Sequence, residues 1–126
     1  MRDFRKIVAW QKADDLAVQV YEATKGFPTE ERFGLTSQMR RAAVSVAANI
    51  AEGSGRQYLK EFLNFLHIAR GSLAEVEYYI HLARRLGYLD DNQAELLASA
   101  CYEAGAVLQG FITAIAQQAA SGRAKN

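Results

Sequence analysis

The chain has 126 residues, a formal net charge of +1, and hydrophobic side chains at half of its positions. That length builds one core and one domain without staples, and the near-neutral balance excludes a strong non-specific pull on nucleic acid or anionic lipid. Lone Cys101 excludes an intrachain disulfide and fits a reducing cytoplasm. The N-terminal run Met1-Arg2-Asp3-Phe4-Arg5-Lys6 leads into no apolar segment, so no signal peptide is expected. No stretch approaches the roughly 18 consecutive apolar residues of a membrane span. A cytoplasmic protein with no membrane partner is the expectation.

A first helix is predicted from Val8 to Lys25, with Trp10, Ala13, Ala17, Val20 and Thr24 on its apolar seam. Gly26-Phe27-Pro28 stops it, because proline disfavours helix at the residue before it. Thr29 to Gly34 reads as a short capped turn. The second helix, Leu35 to Glu52, is rich in alanine, with a seam of Leu35, Met39, Ala43, Val46 and Ile50, and Gly53-Ser54-Gly55 ends it.

The third helix, Tyr58 to Leu86, carries the most information. Leu59, Phe62, Leu66, Ala69, Leu73, Val76, Ile80 and Ala83 keep an unbroken 3-4 spacing, the pattern of a left-handed packing seam. A second seam runs beside it through Phe65, Ile68, Ser72, Glu75, Tyr79, Leu82 and Leu86. Two stripes exceed what one neighbour buries, so Phe65, Ile68, Tyr79 and Leu82 are the expected oligomer interface. Gly87 caps this helix, and Asp90 with Gln93 resembles a capping box opening the fourth. That helix carries Ala94, Leu97, Cys101, Ala104, Leu108, Phe111 and Ile115, and fades after Gln118. The expected fold is all-α: an antiparallel up-down-up-down four-helix bundle over residues 1–120, with a disordered tail at 121–126.

Chemistry is sparse. His67 and His81 are 14 residues apart on one helix, roughly 21 Å along its axis, too far to share a metal within one subunit. The paired Glu-x-x-His signature of bundle di-iron sites is absent. Cys101 falls on an apolar seam, where cysteine behaves as a small hydrophobe. No catalytic residue, cofactor site or metal site is therefore assigned, and the chain is not expected to be an enzyme. The Gly53-Ser54-Gly55-Arg56 loop lacks a phosphate-loop ending, although free backbone N–H groups beside Arg56 and Lys60 would suit an anion. Arg40, Arg41, Arg56, Lys60 and Arg70 are the candidate nucleic-acid or anion-binding residues if the fold gathers them. Arg41, Ser45, Asn49 and Glu52 form a polar stripe on the second helix, so Arg41 is expected to pair with Glu75 or Glu52.

The string Leu35 to Gly53, LTSQMRRAAVSVAANIAEG, resembles the four-helix-bundle family of bacterial 23S rRNA intervening-sequence proteins. Val8-Ala9-Trp10-Gln11, Phe27-Pro28, Glu61-Phe62, Ile68 through Glu75 and Leu86-Gly87-Tyr88 extend the resemblance over roughly residues 3–115. The resemblance implies a homopentameric, ring-like assembly. It also implies kinship with the accessory proteins of diversity-generating retroelements, which bind a reverse transcriptase and nucleic acid. Its motif positions here are Asn49, Glu52, Gly53, Phe62, Gly71, Ser72 and Glu75, together with Arg41 and Arg56. The expected function is a homo-oligomeric scaffold or adaptor for RNA, DNA or a nucleoprotein. The alternative is a purely structural or protein–protein interaction module.

Overall fold

The structure is a computed structural model that describes residues 2–125, with the side chains of residues 123–125 left aside. Four helices form: α1 Val8–Thr24, α2 Leu35–Ser54, α3 Leu59–Arg85 and α4 Asp91–Lys125. Single 3-10 turns at Phe4–Lys6 and Thr29–Glu31 precede α1 and α2, and no strand occurs among the described residues. The fold is all-α, as the spacing predicts. α1 packs on α2 and α4, and α3 packs on the same two helices, so all four share one core.

The first seam of α3 supplies the centre of that core: Phe62, Leu66, Ala69, Leu73, Val76, Ile80 and Ala83 are buried. From α2 come Leu35, Met39, Ala43, Val46 and Ile50, again as the spacing predicts. The α1 seam differs. Its buried residues are Ala9, Ala13, Leu16, Val20 and Thr24, while Trp10 and Ala17 are only partly covered. Trp10 is turned aside because it packs edge-on against Phe4, ring centres 4.9 Å apart, at the turn before the helix.

The helix ends follow local chemistry. Asp90 Oδ1 accepts from the Gln93 N–H at 2.7 Å and Gln93 Oε1 accepts from the Asp90 N–H at 3.0 Å, completing the capping box. Gly87 adopts φ 78°, the one positive φ among the described residues. The Tyr88 N–H then donates to the Ala83 carbonyl at 2.9 Å and the Gly87 N–H to that of Arg84 at 3.0 Å, a Schellman cap that a residue with a side chain would strain. Tyr88 is thereby aimed at Glu31, whose Oε2 accepts its hydroxyl at 2.9 Å. The other oxygen, Oε1, accepts from the Leu35 N–H at 3.1 Å and caps α2. One carboxylate thus ties the start of α2 to the α3–α4 turn, and its hydrogen bond pushes the Tyr88 phenol above its ordinary pKa.

Two sequence expectations change at the C-terminus. α4 continues through Ser121 to Lys125 instead of fading after Gln118, and Asn126 lies outside the described residues. The absence of a long apolar run also has a qualification: Asp91–Gly122 is long and apolar enough, by length and composition alone, to match a membrane span.

Two glycines of the motif behave oppositely. A Cβ on Gly53 would lie 2.7 Å from Phe65 Cβ and 2.9 Å from Phe62 Cδ1, whereas one on Gly71 meets nothing within 4 Å. Gly53→Ala is expected to destabilise the fold by about 1–3 kcal/mol through forced separation of α2 from α3. Gly71→Ala is expected to stabilise the subunit by about 0.5–1 kcal/mol, because glycine weakens a helix interior. Chemical denaturation of the two variants checks the opposite signs.

Candidate functional site

The five basic candidates do not converge. Arg40 belongs to the α1–α2 contact: its Nε donates to Thr24 Oγ1 at 2.8 Å and its guanidinium lies 4.6 Å over the Tyr21 ring. Arg41 is exposed on α2. Arg56 lies past the end of α2, over the Phe65 ring at 4.7 Å and bonded to Glu52 at 3.0 Å. Arg70 bridges α3 and α4 by donating to Gln109 Oε1 at 3.1 Å. Lys60 is exposed at the start of α3. The five are dispersed because successive residues on these helices face different neighbours.

The expected ion pair of Arg41 is also absent. Glu52 pairs instead with Arg56, four residues along and just past the end of α2, a spacing at which the two side chains are neighbours. Neither Arg41 nor Glu75 has an ion-pair partner among the described residues. The rest of the polar stripe does enter the α2–α3 junction. Ser45 Oγ and Ser72 Oγ are 2.8 Å apart, and Asn49 Nδ2 donates to the Ser45 carbonyl at 2.8 Å and to its hydroxyl at 2.9 Å. These motif residues fix the register of two helices, since a buried polar group tolerates only a partnered position.

Arg2 escapes the sequence reading. Its guanidinium donates to the carbonyls of Arg56 at 2.9 Å and Ser54 at 3.4 Å and lies 4.9 Å over Phe62. It therefore closes the end of α2, satisfying carbonyls the helix leaves open. No local pattern signals a contact to residues more than fifty positions away. The proposed anion loop beside it is already occupied by its own backbone. The Gly55 N–H donates to the Glu52 carbonyl at 3.2 Å and the Arg56 N–H to that of Gly53 at 3.0 Å. Gly53 and Ser54 lie within α2.

The second seam of α3 is half covered. Tyr79 and Leu82 are partly buried against the core and Phe65 is intermediate, whereas Glu75 is exposed. Ile68 is 52% exposed and Val44 of α2 is 43% exposed. This α2–α3 face carries apolar area, one free cation and one free carboxylate among the described residues. Gly71, exposed on α3 with open space around it, lies one turn from Ile68 and Glu75.

The sequence profile of the 23S rRNA-intervening sequence proteins matches residues 5–110. The chain belongs to that family. A solved structure similar to it is described as a protein with unknown function from the S23 ribosomal protein family of Bacteroides thetaiotaomicron VPI-5482. It is 27% identical, with a TM-score of 0.74 over 82% of this chain and 97% of that one. No curated protein matches the chain. The family match ends at residue 110, so the last 15 helical residues of α4, 111–125, extend beyond it.

Cys101 sits on the core seam with its thiol facing the Leu73 carbonyl at 3.8 Å. Burial, reinforced by Glu77, pushes the thiol up to about 12, so at neutral pH it carries almost no thiolate, the nucleophilic form. Iodoacetamide at neutral pH is expected to leave Cys101 of the folded protein unmodified and to alkylate it once denaturant is added. Rapid alkylation of the native protein would contradict this placement.

Proposed function

We propose that this protein is an antiparallel up-down-up-down bundle that assembles with copies of itself, and that the assembly is a non-enzymatic scaffold or adaptor for a nucleic acid or nucleoprotein. The observation that carries the assembly is the half-covered second seam of α3, where Ile68 lies open, with Val44 and Arg41 exposed on α2 and Glu75 exposed on α3. A second subunit seated there would cover the apolar area and give both charges partners. Gly71 supports the same reading, since a glycine that weakens the helix and meets nothing in its own subunit suits a close approach from outside.

Paired contacts support the antiparallel arrangement. Between α2 and α3, Ser45 meets Ser72, while Gly53, further along α2, meets Phe65, earlier in α3. Between α3 and α4, Arg70 meets Gln109, while Arg84, further along α3, meets Asp91, earlier in α4. The ring-like pentamer follows from the family resemblance. The nucleic-acid partner rests on the family's description as 23S rRNA-intervening sequence proteins.

Native mass spectrometry at micromolar concentration is expected to give a multiple of the 14.0 kDa subunit. Ile68→Asp is expected to return it to a monomer with unchanged helical circular dichroism, because Ile68 lies outside the subunit core. A wild-type protein that stays monomeric would refute the assembly. An assembled protein that retains neither RNA nor DNA at low salt would leave only the protein-interaction role.

A further inference from the structure

A groove of about 560 Å³ lies between the start of α3 and the end of α4, within the range of roughly 300–1,000 Å³ that holds small ligands. The floor is apolar, with Leu59 and Leu63; Tyr58, Lys60, Asn64 and His67 edge it on one side, and Gln118, Ala119 and Gly122 lie on the other. Lys60, Asn64 and His67 fall at i, i+4 and i+7, one stripe along α3. Among the described residues no carboxylate lines the groove. From Ala104 to Gly122, α4 carries no charged residue at all, so nothing on that wall repels a phosphate or competes for Lys60. Tyr58 is 62% exposed, and the small side chains of Ala119 and Gly122 leave space across from α3.

We infer that this groove holds one nucleotide unit of single-stranded nucleic acid. The base stacks on the Tyr58 ring, the backbone phosphate accepts from the Lys60 ammonium and a ring N–H of His67, and the amides of Asn64 and Gln118 meet the base edge. Stacking on an aromatic ring requires a splayed base, which a duplex does not offer. The near-neutral subunit supplies little long-range attraction, so binding rests on these local contacts. The inference names a site for the nucleic-acid partner proposed above and rests on that reading. The α4 wall lies beyond the family match, which ends at residue 110.

The test is fluorescence anisotropy of a short labelled single-stranded RNA with the full chain. Tyr58→Ala is expected to weaken binding by roughly five-fold or more, while Tyr58→Phe, which keeps the ring, binds as wild type. Both variants should keep the wild-type circular dichroism, since the side chain stands mainly in solvent. Lys60→Gln is expected to flatten the salt dependence by about 0.7 log units per log unit of salt. Free AMP should displace the RNA from wild type and not from the Tyr58→Ala variant. If Tyr58→Ala and Lys60→Gln bind RNA as wild type does, the groove is not the site, and the nucleic-acid partner must be held elsewhere. If wild type binds AMP but no RNA, the groove takes a soluble nucleotide and the strand assignment fails. If wild type binds neither, the proposed nucleic-acid role falls with it.

Discussion

Gly53 sits where a methyl group would collide with Phe62 and Phe65, so the end of α2 lies directly against the start of α3. This close approach organises the polar contacts around it. With α2 seated so deeply, Ser45 reaches Ser72 and Asn49 turns back to Ser45, so both helices are locked at one register. Arg56 folds over Phe65 and Arg2 over Phe62, covering the rings from the open end while their donors satisfy helix carbonyls and Glu52. A change that moved α2 outward would open the aromatic contact and strand the serine pair together. That coupling gives one physical reason for Asn49, Glu52, Gly53, Phe62 and Ser72 to form a single motif.

The same packing defines what the subunit leaves undone. α3 turns its first seam inward from Phe62 to Ala83, and the second seam beside it is only partly covered. Ile68 and Val44 remain open there, and Arg41 and Glu75 stand without partners among the described residues. Exposed single hydrophobes are ordinary, so the proposed assembly rests on the half-covered seam together with these two unpaired charges. The neighbouring α3–α4 groove has a different character. Among the described residues no carboxylate lines it, and its outer wall belongs to the stretch of α4 from Ala104 to Gly122 that carries no charge.

Much of the fold was legible because helices declare themselves by spacing. The first α3 seam is buried as predicted except for Leu59, which is only partly covered, and the Asp90–Gln93 box and the Gly87 cap form as their residue types require. The α1 seam departs from its spacing at two positions: Ala9 is buried in place of Trp10, which packs on Phe4, and Leu16 in place of Ala17. The candidate site was far less legible. Which charge meets which depends on side-chain reach, so spacing alone does not show that Arg56 and not Arg41 takes Glu52, nor that the five cations scatter. Arg2 contacts carbonyls far along the chain, and the groove joins residues some sixty positions apart. No local pattern reports such pairings. The continuation of α4 past Gln118 leaves no mark in the apolar spacing, which ends there, while Ala119, Ala120 and Ala124 still favour a helix.

The central claim is that the second seam of α3 is completed only by another subunit. Hydroxyl-radical footprinting across a dilution series tests it most directly, since it reads side-chain accessibility at named residues. On raising the concentration from nanomolar to micromolar, Phe65, Ile68, Tyr79 and Leu82 are expected to become protected together, while Tyr58, in the groove, keeps its labelling. Unchanged labelling of the four across the series, with the mass remaining that of one subunit, would contradict the account.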